Sequence, residues 1–426
     1  MKESFLHYIW QFQQFVKTDL ATTDGDSIEV FEIGNLNTDA GPDFNNCKIR
    51  IGEIVWHGHV EIHVKSGDWL VHGHEKDRAY DNVVLHVVWE EDKEIVNAEG
   101  KRIPTLRLNG RVSDELISRC NSLVNSPEEI PCSGQITKSS GLNMLSMQQQ
   151  VTIERLSRKS ADVLQLLEKN VGDWEETAYQ LLAKNFGFKI NSDSFQRLAE
   201  NLPLKILKKH SGNLLQLEAL LFGMAGFLDE SPTDQYHSNL MNEYEFLASK
   251  YSLKGKELAK LQWKYLRLRP ANFPTVRIAQ LAAFIYQSPH LFDRFSTEKE
   301  VKTLKKLLRS TPSDYWREYY NFGKESTKKL NGLGSVSAEV LIINTVVPIL
   351  AAYSQHVNEQ SYMDRAVEML EGLKAERNHI TDRWEGLGTA CTNAFESQAM
   401  IELYNSYCLK KKCLSCKIGV GLLHTQ

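Results

Sequence analysis

The chain has 426 residues, 42% of them hydrophobic and 24% charged, with a formal net charge of −4. That length exceeds one ordinary core and predicts two or three domains of a globular protein. The acidic balance excludes a uniformly basic nucleic-acid coat, so any contact with DNA or RNA needs a local patch.

The opening Met1-Lys2-Glu3-Ser4-Phe5 lacks the basic end and apolar run of a signal peptide. No window approaches the roughly 18 continuous apolar residues of a membrane span. Seven cysteines, an odd number, suit a reducing compartment. A cytoplasmic protein without a membrane partner is therefore expected; oligomeric state stays open.

Phe5, Ile9, Phe12 and Val16 recur at helical spacing and predict a first helix. Strand-like runs follow at Ile28–Ile33, Cys47–Ile51, Ile54–Lys65, Val83–Trp89 and, more weakly, Ile103–Leu108. Gly52-Glu53 reads as the hairpin turn between the second and third runs. Asn121–Gly134, with Pro127 and Pro131, reads as linker. Helical periodicity then takes over at Val151–Leu167, Trp174–Asn185, Leu214–Leu228, Met241–Tyr251 and Val276–Tyr286, and again in four later stretches. The expected fold class is α+β. A small mixed α/β domain covers 1–120, a linker 121–143, and a large helical domain 144–426, with room for a division near 300.

Six of the thirteen histidines lie between His57 and His86. Along a strand from Ile54 to Lys65, His57, His59, Glu61, His63 and Lys65 share one face, and Val60, Ile62 and Val64 the other. Eighteen residues before Glu61, Asp43 follows a Gly-Pro turn. Two carboxylates so placed can hold a divalent ion, Mg²⁺ or Mn²⁺, while a cation nearby stabilises developing charge. Asp43 and Glu61 are the expected metal ligands, and Asp43, Glu61 and His63 the expected catalytic set. Strand rise puts His57 and Lys65 on the order of 26 Å apart, so the whole row cannot be one site. Lys65, His72, His74 and Asp77 are expected in support, with His74, Asp77 and Asp81 aligned on a helix face. The bland alternative is a solvated strand face. His57-x-His59 and His72-x-His74 also suggest a cupin-like barrel, which lacks a later carboxylate and histidine at suitable spacing.

The order helix, strand, Asp at a hairpin, Glu-x-cation, short helix, strand resembles the PD-(D/E)xK nuclease superfamily over roughly Phe5 to Trp89. The resemblance implies a restriction-endonuclease-like fold and nucleic-acid phosphodiester hydrolysis. His63 stands where that family carries lysine, and a histidine titrates near neutrality. This departure keeps open a non-catalytic module that binds nucleic acid or a protein.

In the helical part, Lys264, Arg267, Arg269 and Arg277 are interleaved with Trp263, Tyr265 and Phe273, and Pro274 can open a helix. They are the expected nucleic-acid contacts, on DNA in the first place; the alternative is structural arginines with core aromatics. Leu330–Ala338, with Gly332 and Gly334, resembles the hairpin of a helix-hairpin-helix element. With Cys408-x4-Cys413-x2-Cys416 it is similar to the end of the endonuclease III and MutY glycosylases, although no lysine stands at the nucleophile position and no closing cysteine follows. A Zn²⁺ or iron–sulfur site is expected on Cys408, Cys413 and Cys416, with Cys391 as fourth ligand. Gly-Pro-Asp-Phe (41–44), Val-Glu-Ile-His (60–63), Arg-Pro-Ala-Asn-Phe-Pro (269–274) and Cys-Leu-Ser-Cys (413–416) also resemble a Bacteroidetes-type family defined by domain of unknown function 2851.

Overall fold

A computed structural model describes residues 2–97, 99–229 and 231–424. The chain divides into two compact units: 1–147 with 403–426, and 148–402. The first unit runs to 147, and the segment from 403 onward groups with it and not with the helical unit. The expected linker is also structured. Helix α3 (Asp114–Val124) runs into it, capped by Ser113, whose hydroxyl accepts from the Leu116 N–H, and a 3-10 turn covers Ser133–Lys138.

The first unit starts with helix α1 (Glu3–Gln11) and strands β1 (Ile28–Glu32), β2 (Asn35–Leu36), β3 (Phe44–Ile51) and β4 (Ile54–Lys65). Helix α2 (Asp68–Val71), β5 (Val83–Glu90) and β6 (Thr105–Arg107) follow. The sheet order is β1-β3-β4-β5-β6, with β2 pairing β3. β3 and β4 form an antiparallel hairpin closed at Gly52-Glu53, where Gly52 supplies a φ of +59° at the first loop position. β4 pairs β5 in parallel, which requires a crossover. Gly58 permits the close start of that pairing, since a Cβ there would stand 2.5 Å from the Asn82 carbonyl oxygen.

The crossover, residues 66–82, decides what happens to the polar face of β4. It holds α2 and two 3-10 turns, His74–Lys76 and Arg78–Tyr80. Those turns, broken by Asp77 in extended conformation, replace the expected helix through His74, Asp77 and Asp81. Val60 and Ile62 are fully buried on one face of β4. Glu61 and His63 on the other are only 4% and 1% exposed, whereas His57 and Lys65 on the same face are exposed, so the alternative of a solvated strand face holds only toward the ends of β4. Where β4 pairs with its parallel neighbour it is covered on both sides, while Ile54–His57 before that pairing are exposed.

The second unit is helical around a core that includes Phe222, Phe284, Phe295 and Trp316. Its continuous helix Ser335–Val357 is long and apolar enough to cross a membrane by length and composition, yet 72% of its apolar window is buried in the protein. Core packing accounts for that apolarity.

Candidate metal centre

The start of β3 and the middle of β4 are locked by a reciprocal pair of hydrogen bonds. The Asp43 N–H donates to Glu61 Oε2 (3.1 Å), and the Ile62 N–H donates to Asp43 Oδ2 (3.0 Å). The two carboxylates expected from sequence are therefore brought together. Helix α1 adds His7, whose Nε2 lies 3.2 Å from Asp43 Oδ2, and Glu3 one turn earlier, close enough for Asp43 to help raise its pKa.

On the buried side, His63 sits at the hub of an imidazole cluster. Its Nδ1 lies 2.9 Å from His86 Nε2, and its Nε2 lies 3.1 Å from His72 Nδ1. Glu61 Oε1 stands 3.5 Å from His63 Nε2 and 3.2 Å from His74 Nε2. Donor atoms of His63, His72 and His74 all fall within 4.8 Å of one another. The Trp69 ring packs edge-on to His63, and Tyr80 stacks on His74 at 3.8 Å. His72 is exposed, so the cluster reaches the surface there.

Electrostatically the cluster is short of positive charge. Burial, and then the neighbouring Asp43, push the Glu61 carboxyl up to about 9. Burial and the surrounding imidazoles, His86 foremost, bring His63 down to about 2. Burial takes His86 to about 3. His63 is accordingly neutral and cannot stand in for a lysine cation, which corrects the role expected for it. His74 Nε2 and His7 Nε2 are buried and face carboxylate oxygens at 3.2 Å without hydrogen-bond geometry. Buried polar atoms left so are uncommon, and ligation of a cation is one way to satisfy them.

The other expected residues separate. His72 and His74 belong to the cluster itself. Lys65 is exposed, with its backbone N–H donating to Asp68. Asp77 accepts from the Ala79 N–H and acts on His74 through space. Sequence reasoning missed Glu3, His7 and His86. Glu3 and His7 share a helix face at i,i+4, and His86 lies directly opposite Glu61 across the β4–β5 ladder.

In the helical unit, Lys264, Arg267 and Arg269 are exposed. Arg277 is 6% exposed, donates to Gln280 and Asn272, and lies 4.5 Å over the Phe188 ring. Burial lowers its pKa to about 10. It holds the helix Pro274–Gln287 in the core and is not a phosphate contact; Trp263, 4% exposed, donates to the Ala225 carbonyl and is likewise core. The segment 330–338 follows a two-stranded hairpin (Tyr319–Asn321, Lys324–Glu325) instead of a helix, so the helix-hairpin-helix expectation fails. Gly332 serves packing there: a Cβ would meet the Arg309 carbonyl oxygen at 2.1 Å.

Among known proteins, a family model described as a protein of unknown function, DUF2851, matches residues 3–379. The chain belongs to the DUF2851 family. No curated protein and no solved structure matches it. The match includes every residue of the histidine–carboxylate cluster from Glu3 to His86 and ends before Cys391.

Proposed function

We propose that this DUF2851 protein is a metal-dependent hydrolase of nucleic-acid phosphodiesters, with Glu61, His63, His72 and His74 holding one divalent transition ion. The observation that carries the reading is donor spacing. Glu61 Oε1, His63 Nε2, His72 Nδ1 and His74 Nε2 are linked by separations of 3.1 to 3.5 Å. An ion with four bonds of about 2.0–2.1 Å in tetrahedral array sets its ligand atoms about 3.3–3.4 Å apart. Three imidazoles suit Mn²⁺ or Zn²⁺ better than Mg²⁺, which prefers oxygen. The ion would supply Lewis acidity toward a phosphoryl oxygen.

The chain's own residues supply orientation and proton handling. His63 presents Nε2 to the centre when its Nδ1–H donates to His86 Nε2, the arrangement that fixes a ligand imidazole's tautomer. The Asp43 N–H holds Glu61 in place. Asp43, partly exposed beside His7, is then positioned to take a proton from an attacking water. The reading is supported by the order helix, antiparallel β3–β4 pair, crossover and parallel β5, the order on which the resemblance to the PD-(D/E)xK nucleases rests.

A nucleic-acid partner is supported by cations in the helical unit. Lys302, Lys305, Lys306 and Arg309 line an open cavity of about 530 Å³, and Lys264, Arg267 and Arg269 are exposed. A second reading, a module that binds nucleic acid without cleaving it, is favoured by the depth of Glu61, His63 and His86. Turnover of a mixed DNA and RNA panel with Mn²⁺, Zn²⁺ or Mg²⁺ separates them. The hydrolase reading expects Mn²⁺- or Zn²⁺-dependent cleavage that disappears in Asp43→Asn and Glu61→Gln while folding persists. Binding without turnover in every metal leaves the second reading standing and removes the first.

A further inference from the structure

The first unit contains a second cluster, far apart in sequence, built from four of the seven cysteines. Cys132 precedes the 3-10 turn Ser133–Lys138, and Cys408 closes a π-helical turn, Tyr404–Cys408. Cys413 opens the 3-10 turn Cys413–Ser415, and Cys416 leads into the helix Lys417–His424. All four line one small cavity with Leu123 and Tyr407. Every one of the six thiol pairs is close enough for charge on one to raise the other. Lys411 donates to the carbonyls of Ser126 and Glu128, tying the tail to the segment that carries Cys132. Gly419 allows the last turn to close, since a Cβ there would stand 2.2 Å from the Cys413 carbonyl oxygen.

We infer that Cys132, Cys408, Cys413 and Cys416 together ligate a soft metal centre, a zinc ion or an iron–sulfur cluster. Buried thiols alone are unexceptional, because neutral cysteine packs as a small hydrophobe. These four differ in what faces them. The Ile418 and Gly419 N–H groups point at the Cys416 sulfur, and Lys411 acts on Cys408 and Cys413. N–H donors and a cation beside sulfur favour the thiolate form, and four thiolates lining one small cavity would need a cationic centre between them. Burial without such a centre pushes Cys132 up to about 12 and Cys413 to about 11. Cys391, expected as the fourth ligand, belongs instead to the helical unit, where its charged neighbours are Glu396 and Glu385. Cys132 takes its place.

The test is elemental analysis of the full chain, purified without chelator both aerobically and anaerobically. About one equivalent of zinc per chain, or iron matched by acid-labile sulfide with visible charge-transfer absorbance, supports the site and tells the two centres apart. Cys132→Ser should lose that metal and Cys391→Ser should keep it. Should Cys132→Ser fail to fold, alkylation of the wild-type chain decides: chelation should expose Cys132, Cys408, Cys413 and Cys416 together and leave Cys47 and Cys120 unchanged. Zinc and iron both below about a tenth of an equivalent, or alkylation unmoved by chelator, would overturn the inference.

Discussion

Glu61 in the sheet unit and Glu218 in the helical unit are both almost wholly buried, at 4% and 1% exposure, yet their surroundings differ in kind. Glu218 accepts from the Tyr236 and Ser313 hydroxyls, one on each carboxylate oxygen. Burial lifts its pKa to about 7 against those stabilising donors. Glu61 has one backbone N–H on Oε2, while Oε1 faces two imidazoles, His63 and His74, whose pKa values burial lowers, and its own pKa reaches about 9. Glu218 is completed by its own protein. In the proposed site, Glu61 would be completed by a cation from outside. Burial favours the protonated form of Glu61, and a bound cation would offset the cost of ionising it there.

The largest expected effect lies at the cluster. Glu61→Gln and His74→Ala should each weaken binding of Mn²⁺ or Zn²⁺ by more than about 100-fold, measured by calorimetric titration, because each removes a direct donor. Glu218→Gln, the matching change in the other unit, should leave that affinity unchanged. His86→Phe comes next: it takes the partner from His63 Nδ1 and should reduce metal affinity by about 10- to 100-fold with all four donors retained.

Glu218 sharpens the contrast through pH. Its folded pKa, about 7, lies above the ordinary glutamate value of 4.5, so the folded state holds the extra proton between those values. The stabilisation is complete below about pH 4.5 and is lost as pH rises through about 7, on the order of 3 kcal/mol in all. The difference in chemical-denaturation stability between wild type and Glu218→Gln should show this fall from about pH 4.5 to 7.5, because the contributions of Glu61, His63 and His86 are common to both and cancel. The smallest effects concern surface cations. Replacing Lys264, Arg267 and Arg269 by alanine should lower the salt slope of duplex binding by up to about 0.9 per residue without changing stability. Arg277→Ala should do the reverse, lowering the melting temperature and leaving the slope alone.

The strands were legible because alternation and a Gly-Glu turn act locally; β4 falls at Ile54–Lys65 as expected. Asp43 and Glu61 were legible as a pair because a hairpin returns the chain on itself. What covers Glu61 was not. Alternation assigns a side chain to a face, but the crossover that buries that face follows from parallel pairing with β5, a choice made at tertiary level. His86 and Cys132 were hidden for the same reason, since neither adjoins in sequence the residues it meets. For Arg277 a signal existed: Val276, Ile278, Ala279, Leu281 and Ala282 surround it on a helix buried on all sides, which favours a core arginine.

The most direct test of the central claim is anomalous diffraction from crystals of the full chain soaked in Mn²⁺ or Zn²⁺. The account predicts one peak at about 2.0–2.3 Å from Glu61 Oε1, His63 Nε2, His72 Nδ1 and His74 Nε2, with His63 Nδ1 still on His86. A cluster that excludes both ions, its imidazoles bonded only to one another at saturating metal, would contradict it.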